Sequence, residues 1–242
     1  MRVVWGFDNP PALHYGVATV GSYDGVHRGH RILLDEVVRR ARECGGESVV
    51  LTFEPHPRIT LGNDEGLRLL STFEEKCRLL EQTGIDFVVV IPFDEAFSRL
   101  SREEFTDDYL VGKLGIKELV VGYNHHFGHN KQGDHSFLEQ HGALRTVEVA
   151  QYTDNGGKIS STVIRKAMAE GEMAQARQLL GHTYIIIGEA DAEGRVATDK
   201  YKLLPADGLY ACTINGKAST CEVVGGVLTQ KEYFSEKIEI LL

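Results

Sequence analysis

Cysteine is scarce and scattered in this chain. Cys44, Cys77, Cys212 and Cys221 are the only four in 242 residues. They form no C-x-x-C pair and lie near no histidine ladder, so neither a disulfide framework nor a zinc site is indicated and reduced thiols are expected. Proline is also sparse, at 6 residues, and with 42% hydrophobic and 25% charged residues the disordered and fibrous classes are excluded. Basic charge is in deficit. Lys plus Arg number 26 against 35 Asp plus Glu, a net charge of −9, so no global field exists to hold nucleic acid by counterion release, and no nucleic-acid partner is expected. Any phosphate site must be local. No run reaches the roughly 18 apolar residues of a membrane span, and the opening MRVVWGFDNPPALHYG holds no signal-like apolar segment. No membrane partner is expected, and a cytoplasmic location is. Nothing in the sequence indicates an oligomeric state.

What is present is a repeating grammar. VATV at 17–20 reads as a short strand, and Arg31 to Glu43 as an amphipathic helix with Ile32, Leu33, Leu34, Val37 and Val38 near helical spacing. SVVLTF (48–53), DFVVVIPF (86–93) and ELVVG (118–122) read as strands. Stretches 72–83 and 101–114 between them read as helices. Continuous β-branched runs such as Val88-Val89-Val90-Ile91 suit strands buried on both faces, which predicts an α/β domain with a doubly wound parallel sheet. A strand near 144–150 and an Asn155-Gly156-Gly157 turn follow. Then comes a serine-capped helical stretch that Gly171 splits and Gly181 ends. Beyond His182 the character changes to short strands: YIIIGEA, GLYACTI, STCEVVGGV and EKIEILL. A boundary is therefore expected near 181–184, with domains at 1–182 and 183–242, the second a small antiparallel β module.

The sharpest motif is G-S-Y-D-G-V-H-R-G-H at 21–30, between the first strand and the first helix. Glycines there let backbone amides approach a ligand, and a helix N-terminus offers free N–H groups to phosphate. His27 and His30 can both act there as donors without fixed charge. A capped helix start with surface histidines would account for either histidine alone, but the whole decapeptide at this place favours phosphate binding. The second motif is I-S-S-T-V-I-R at 159–165, where three hydroxyls open a helix and Arg165 follows. By itself it is equally an ordinary N-cap with an exposed arginine or a second phosphate grip. Two grips at strand ends of one α/β domain fit a nucleotide held across the switch point of the sheet.

These residues resemble a known family. H-x-G-H after the first strand with I-S-S-T-x-x-R is the pair shared by nucleotidylyltransferases, which have a Rossmann-like fold. G-S-Y-D-G-V-H-R-G-H, T-F-E-P-H-P-R at 52–58, V-V-G-Y-N-H-H-F-G-H-N-K-Q-G-D at 120–134 and L-L-G at 179–181 are similar to motifs of prokaryotic FAD synthetases. The resemblance implies transfer of AMP from ATP to FMN, giving FAD and pyrophosphate. It implies catalytic roles for His27, His30 and Arg165. It further implies ATP contacts from Gly21, Tyr23, Asp24, Gly29, Asn124, Ser160, Ser161 and Thr162, and FMN contacts from Glu54, His56, Pro57 and Arg58. The attacking group is an ionised phosphate, so no general base is required. Asn124 stands where an aspartate is common, and His125 and His126 where an aromatic residue and an arginine are common. The run His125, His126, His129 and His135 fits no standard metal spacing. Mg2+ carried by the ATP phosphates is expected instead of a protein metal site.

Most such enzymes carry a riboflavin kinase barrel marked by G-R-x-x-G-F-P-T-A-N. Here Gly194-Arg195 and Pro205 to Tyr210 resemble the flanks and the P-T-A-N element is missing. The tail is expected to be a truncated, non-catalytic remnant. Three other readings stay open: a bifunctional enzyme with a divergent kinase site, a catalytically inactive flavin- or nucleotide-binding homologue, and a nucleotidylyltransferase acting on another phosphate ester.

Overall fold

The structure, a computed structural model, describes residues 1–151, 153, 154 and 157–242. Asn155 and Gly156 of the expected turn lie outside the described residues. The chain divides into two compact units. Unit 1 comprises Met1–Tyr23, Gly29–Gly66 and Leu80–Tyr152; unit 2 comprises Asp24–Arg28, Leu67–Leu79 and Thr153–Leu242.

Unit 1 is built on a parallel six-stranded sheet. Its strands are β1 (Arg2–Trp5), β2 (Gly16–Val20), β3 (Glu47–Glu54), β4 (Phe87–Pro92), β5 (Ile116–Gly122) and β6 (Arg145–Val149), in the order β1-β4-β3-β2-β5-β6. From β2 the chain winds outward one way through β3 and β4, then returns to β5 and β6 on the other side, so the switch point lies at β2 and β5. Ala18, Val20, Val49, Leu51, Val89, Ile91, Leu119 and Val121 bury one face with Phe105, Leu110 and Leu138. The alternating Val17, Val50, Val88, Val90 and Val120 are fully buried too. Burial of both faces is what the unbroken valine and isoleucine runs predict for a doubly wound sheet. The helix Arg28–Glu43 buries Leu34, Val37, Val38 and Ala41 on one stripe.

Three features of unit 1 depart from the sequence pattern. β1 was not expected, because RVVW is an exposed edge strand that pairs only with β4 and so has no buried run to announce it. The helix His135–His141, N-capped by the Asp134 carboxylate accepting from Phe137 N at 2.9 Å, is two turns with only Leu138 buried. The helix expected over 101–114 is a single α turn, Arg102–Glu104, followed by π-helical winding over Phe105–Lys113. A π turn places residues five apart on one face, and it buries Phe105 together with Leu110.

In unit 2, β7 (Thr153–Asp154) pairs with β8 (Gly157–Lys158). The helices Ser161–Ala169 and Met173–Leu180 are separated at Gly171, and the second is capped by Gly181 at φ +78°. Six further strands follow: β9 (Ile185–Ala190), β10 (Arg195–Ala197), β11 (Gly208–Ile214), β12 (Lys217–Val224), β13 (Val227–Gln230) and β14 (Glu236–Leu241). They close into an antiparallel barrel in the order β10-β13-β12-β11-β14-β9. Inward positions such as Ile186, Ile214, Cys221, Val223, Ile238 and Ile240 fill it, and closure removes strand edges. Gly188 permits a tight crossing, since a Cβ there would lie 2.5 Å from Ala197 O. The stretch read as one strand, STCEVVGGV, folds as β12 and β13 joined at Gly225-Gly226, both at positive φ. Among the described residues no helix is long and apolar enough to cross a membrane.

Candidate active site

The loop after β2 is conformationally demanding. Tyr23 and Val26 adopt φ of 49° and 38°, in the left-handed region that a β-branched side chain disfavours, and such strain persists only where the surroundings enforce it. In unit 1 the Tyr23 ring is buried, its hydroxyl lies 2.7 Å from Thr19 Oγ1, and its edge meets the His30 ring at 5.1 Å between centroids. Burial pushes the Tyr23 phenol above its ordinary range, so it stays neutral. Gly21 N donates to Leu51 O at 3.0 Å, continuing the pairing of β2 with β3 into the loop.

The rest of the loop belongs to unit 2, where Asp24 is the hub. Its Oδ1 accepts from Ser71 N at 3.1 Å, its Oδ2 accepts from the Arg165 guanidinium at 2.6 Å, and its backbone carbonyl accepts from Ser161 Oγ at 3.1 Å. Gly25 N donates to Ser71 Oγ at 2.9 Å. His182 lies between two carbonyls, Gly25 O at 2.9 Å and Thr183 O at 2.8 Å. Burial raises the Asp24 carboxyl, while the Ser71 amide and the Arg165 charge pull it back. His27 is 5% exposed. Burial, with smaller contributions from the His182 and Arg165 charges, lowers its imidazole to about 4, so it is neutral at pH 7. A neutral imidazole still donates one hydrogen bond.

Ser160 caps the helix Ser161–Ala169, its Oγ accepting from Val163 N at 3.4 Å. Thr162 is exposed and Arg165 is half-buried. The helix therefore presents first-turn amides, the Thr162 hydroxyl and an Asp24-braced guanidinium, which together suit an anion. Unit 2 thus brings together Asp24, His27, Ser160, Ser161, Thr162 and Arg165. The sequence reading did not find Ser71 or His182, because neither lies in a motif and each meets the loop only through the fold.

Unit 1 contains an apolar cavity of about 350 Å³ at the carboxyl ends of its central strands, where open α/β sheets bind ligands. Val20, Gly21 and Ser22 line it after β2, Phe53 and Pro57 at the end of β3, Phe93 and Phe97 after β4, and His125, His126 and Phe127 after β5. His125 stacks on Phe127 at 5.7 Å, its Nε2 is buried without a hydrogen-bond partner, and burial lowers it to about 4. Of the four residues expected to meet FMN, Pro57 lines this cavity. Glu54 ends β3. His56 Nδ1 accepts from Arg58 N at 3.2 Å, and Arg58 Nε donates to Asn63 O at 2.8 Å. Asn124 is exposed on the turn after β5, and Gly29 lies in the first turn of the helix Arg28–Glu43. Among the described residues no three His, Cys, Asp or Glu side chains group closely enough to hold a metal ion.

Residues 9–163 match the model of the family described as FAD synthetase. The chain belongs to the FAD synthetase family. Its similar relatives include bifunctional riboflavin kinase/FMN adenylyltransferases from Escherichia coli K12, 33% identical over 83% of this chain and 68% of that protein, and from Listeria monocytogenes, 32% identical over 93% and 77%. The Bacillus subtilis protein of the same name is 33% identical over 91% and 74%. A crystal structure described as a macrolide-efflux protein from Streptococcus pneumoniae superposes with a TM-score of 0.86 at 22% identity, covering 99% of this chain and 88% of that one. At that identity the likeness establishes the FAD synthetase-family chain's fold alone.

Proposed function

We propose that this chain is an FMN adenylyltransferase. The FMN phosphate oxygen attacks the α-phosphorus of ATP, the new O–P bond forms as the Pα–O–Pβ bond breaks, and FAD and pyrophosphate leave. The observation that carries this reading is the braced cation at a helix N-terminus: Arg165 held by Asp24 at 2.6 Å beside the Ser160-capped helix. Such a reaction needs positioning and charge stabilisation rather than a covalent nucleophile. We assign the ATP phosphates to His27, His30, the Ser160–Thr162 hydroxyls and amides, and Arg165. Further ATP contacts are assigned to Gly21, Tyr23, Asp24, Gly29 and Asn124. Arg165 neutralises charge that builds on the leaving pyrophosphate. The neutral His27 donates one hydrogen bond to a phosphate oxygen.

We assign the FMN ring to the apolar cavity, whose phenylalanines suit a flat aromatic ligand, with Glu54, His56, Pro57 and Arg58 along its β3 side. Mg2+ would enter on the ATP phosphates, and no step here runs through it. We place the reaction in the cytoplasm, where ATP is available.

We further propose that the domains divide at 182/183 and that residues 183–242 form a non-catalytic barrel, since no P-T-A-N element stands between Gly194 and Tyr210. The test is chromatography of flavins after incubation with ATP and Mg2+, with FMN in one tube and riboflavin in another. FAD from FMN and no product from riboflavin is expected. No FAD from FMN would overturn the adenylyltransferase reading, and FMN from riboflavin would overturn the non-catalytic barrel.

A further inference from the structure

A group of buried polar side chains in unit 2 is not used by that chemistry. Lys202 and Glu75 are both fully buried, with Nζ 2.7 Å from Oε2. The ammonium spends its other two N–H groups on Leu70 O at 2.8 Å and Ile185 O at 2.6 Å, so all three donors are satisfied. The Tyr184 ring lies 4.1 Å away, adding a cation–π contact. Glu75 is equally engaged: Oε1 accepts from Ile187 N at 2.7 Å and Oε2 from Thr72 N at 2.8 Å. Leu69 N donates to Tyr201 O at 2.7 Å, and Leu203 N donates to Leu69 O at 2.8 Å. The segment 69–75 is thereby bound to the barrel strand β9 and to the segment 201–203.

The partner of this lysine decides its consequence. Leu70 C=O and Ser71 N–H belong to one planar peptide group. Lys202 holds the carbonyl end, and the amide end donates to Asp24 Oδ1. A cation on the carbonyl polarises the peptide and strengthens its N–H as a donor. The same Ser71 supplies the hydroxyl that receives Gly25 N, and Asp24 in turn braces Arg165. A buried ion pair adds little net stability compared with apolar packing, but three fixed donors on one ammonium specify a single position for this peptide.

We infer that Lys202 is a positioning residue for adenylyl transfer. Through the Leu70–Ser71 peptide it sets Asp24, and through Asp24 it sets the Arg165 guanidinium that receives the ATP phosphates. The inference rests on the adenylyltransferase reading, and it gives the barrel segment around residue 202 a role in that reaction without kinase chemistry.

The test compares Lys202→Met alone and combined with Glu75→Gln, which removes the uncompensated carboxylate. Calorimetric titration with α,β-methylene-ATP, KM for ATP and for FMN, and thermal unfolding are measured on the full chain. The double variant is expected to unfold within a few degrees of the wild type, to bind the ATP analogue about tenfold more weakly, as a difference of about 1.4 kcal/mol gives, and to keep its KM for FMN within about twofold. A double variant with wild-type stability and wild-type affinity for the analogue would reduce Lys202 to charge compensation and overturn the inference. If that variant does not fold, the more conservative Lys202→Gln combined with Glu75→Gln carries the test, since its shorter neutral amide takes the cation off the Leu70 carbonyl. About tenfold weaker binding of the analogue is again expected, and unchanged binding overturns the inference. Absence of FAD formation by the wild type would refute the reaction itself, independently of these comparisons.

Discussion

The burial of His27 gives the chain an acid-sensitive contribution to folding that can be isolated by one substitution. The imidazole is 5% exposed and is lowered from 6.5 to about 4 in the folded protein, chiefly by burial. The unfolded chain therefore binds a proton in a range where the folded chain does not, so stability falls as pH drops from about 6.5 to about 4 and is fully present above 6.5. Two and a half pH units at about 1.4 kcal/mol each amount to about 3 kcal/mol at the acid end. His27→Gln keeps a neutral polar side chain and removes the titration. Its packing cost is the same at every pH, so only the slope is informative. His125, also lowered to about 4, is present in both proteins and cancels. Guanidinium unfolding midpoints measured at pH 4, 5, 6 and 7 should show the wild type losing about 3 kcal/mol relative to His27→Gln between pH 7 and pH 4. Parallel curves would mean that His27 is solvated or charged in the folded protein, and the neutral-donor role assigned to it would fall with that result.

Two further substitutions address the same loop. Gly25→Ala places a Cβ 2.9 Å from Leu70 Cβ at a φ of +77°, and left-handed strain plus overpacking predict a loss of about 2–4 kcal/mol, read as a lowered denaturant midpoint with weaker ATP-analogue binding. An unchanged midpoint would show that the loop relaxes freely. Arg165→Met leaves Asp24 without its cation and the phosphates without theirs. It should lower kcat/KM for ATP by about 10²-fold or more, as loss of a preorganised charge-stabilising donor does, and a value within threefold of wild type would remove Arg165 from the chemistry.

Much of this protein is legible in its sequence because the information is local. Val88-Val89-Val90-Ile91 suits a strand buried on both faces, since β-branched side chains pack well on a pleated surface and the run has no polar face. Gly171 and Gly181 punctuate the helices at 161–180 because positive φ costs glycine nothing. The H-x-G-H and S-S-T-x-x-R stretches carry the hydroxyls, imidazoles and free amides on which the proposed phosphate site rests. Elements with little burial stayed silent. β1 has no apolar alternation, and the π winding of Phe105–Lys113 breaks the 3.6-residue period on which a helix prediction rests.

What the tertiary structure alone decided is how those motifs are held. Asp24 meets Arg165 across 141 residues, His182 reaches Gly25 O across 157, and Lys202 reaches Glu75 across 127. No periodicity or spacing encodes such pairs, because each is created when distant segments exclude water together. The same burial turns His27 from an ordinary imidazole into a neutral donor, and a lysine in an unremarkable loop into the brace of a peptide bond. The sequence by itself determined the residue types and the strand-helix order; desolvation and long-range hydrogen bonding, which exist only in the folded chain, determined their protonation, aim and partners.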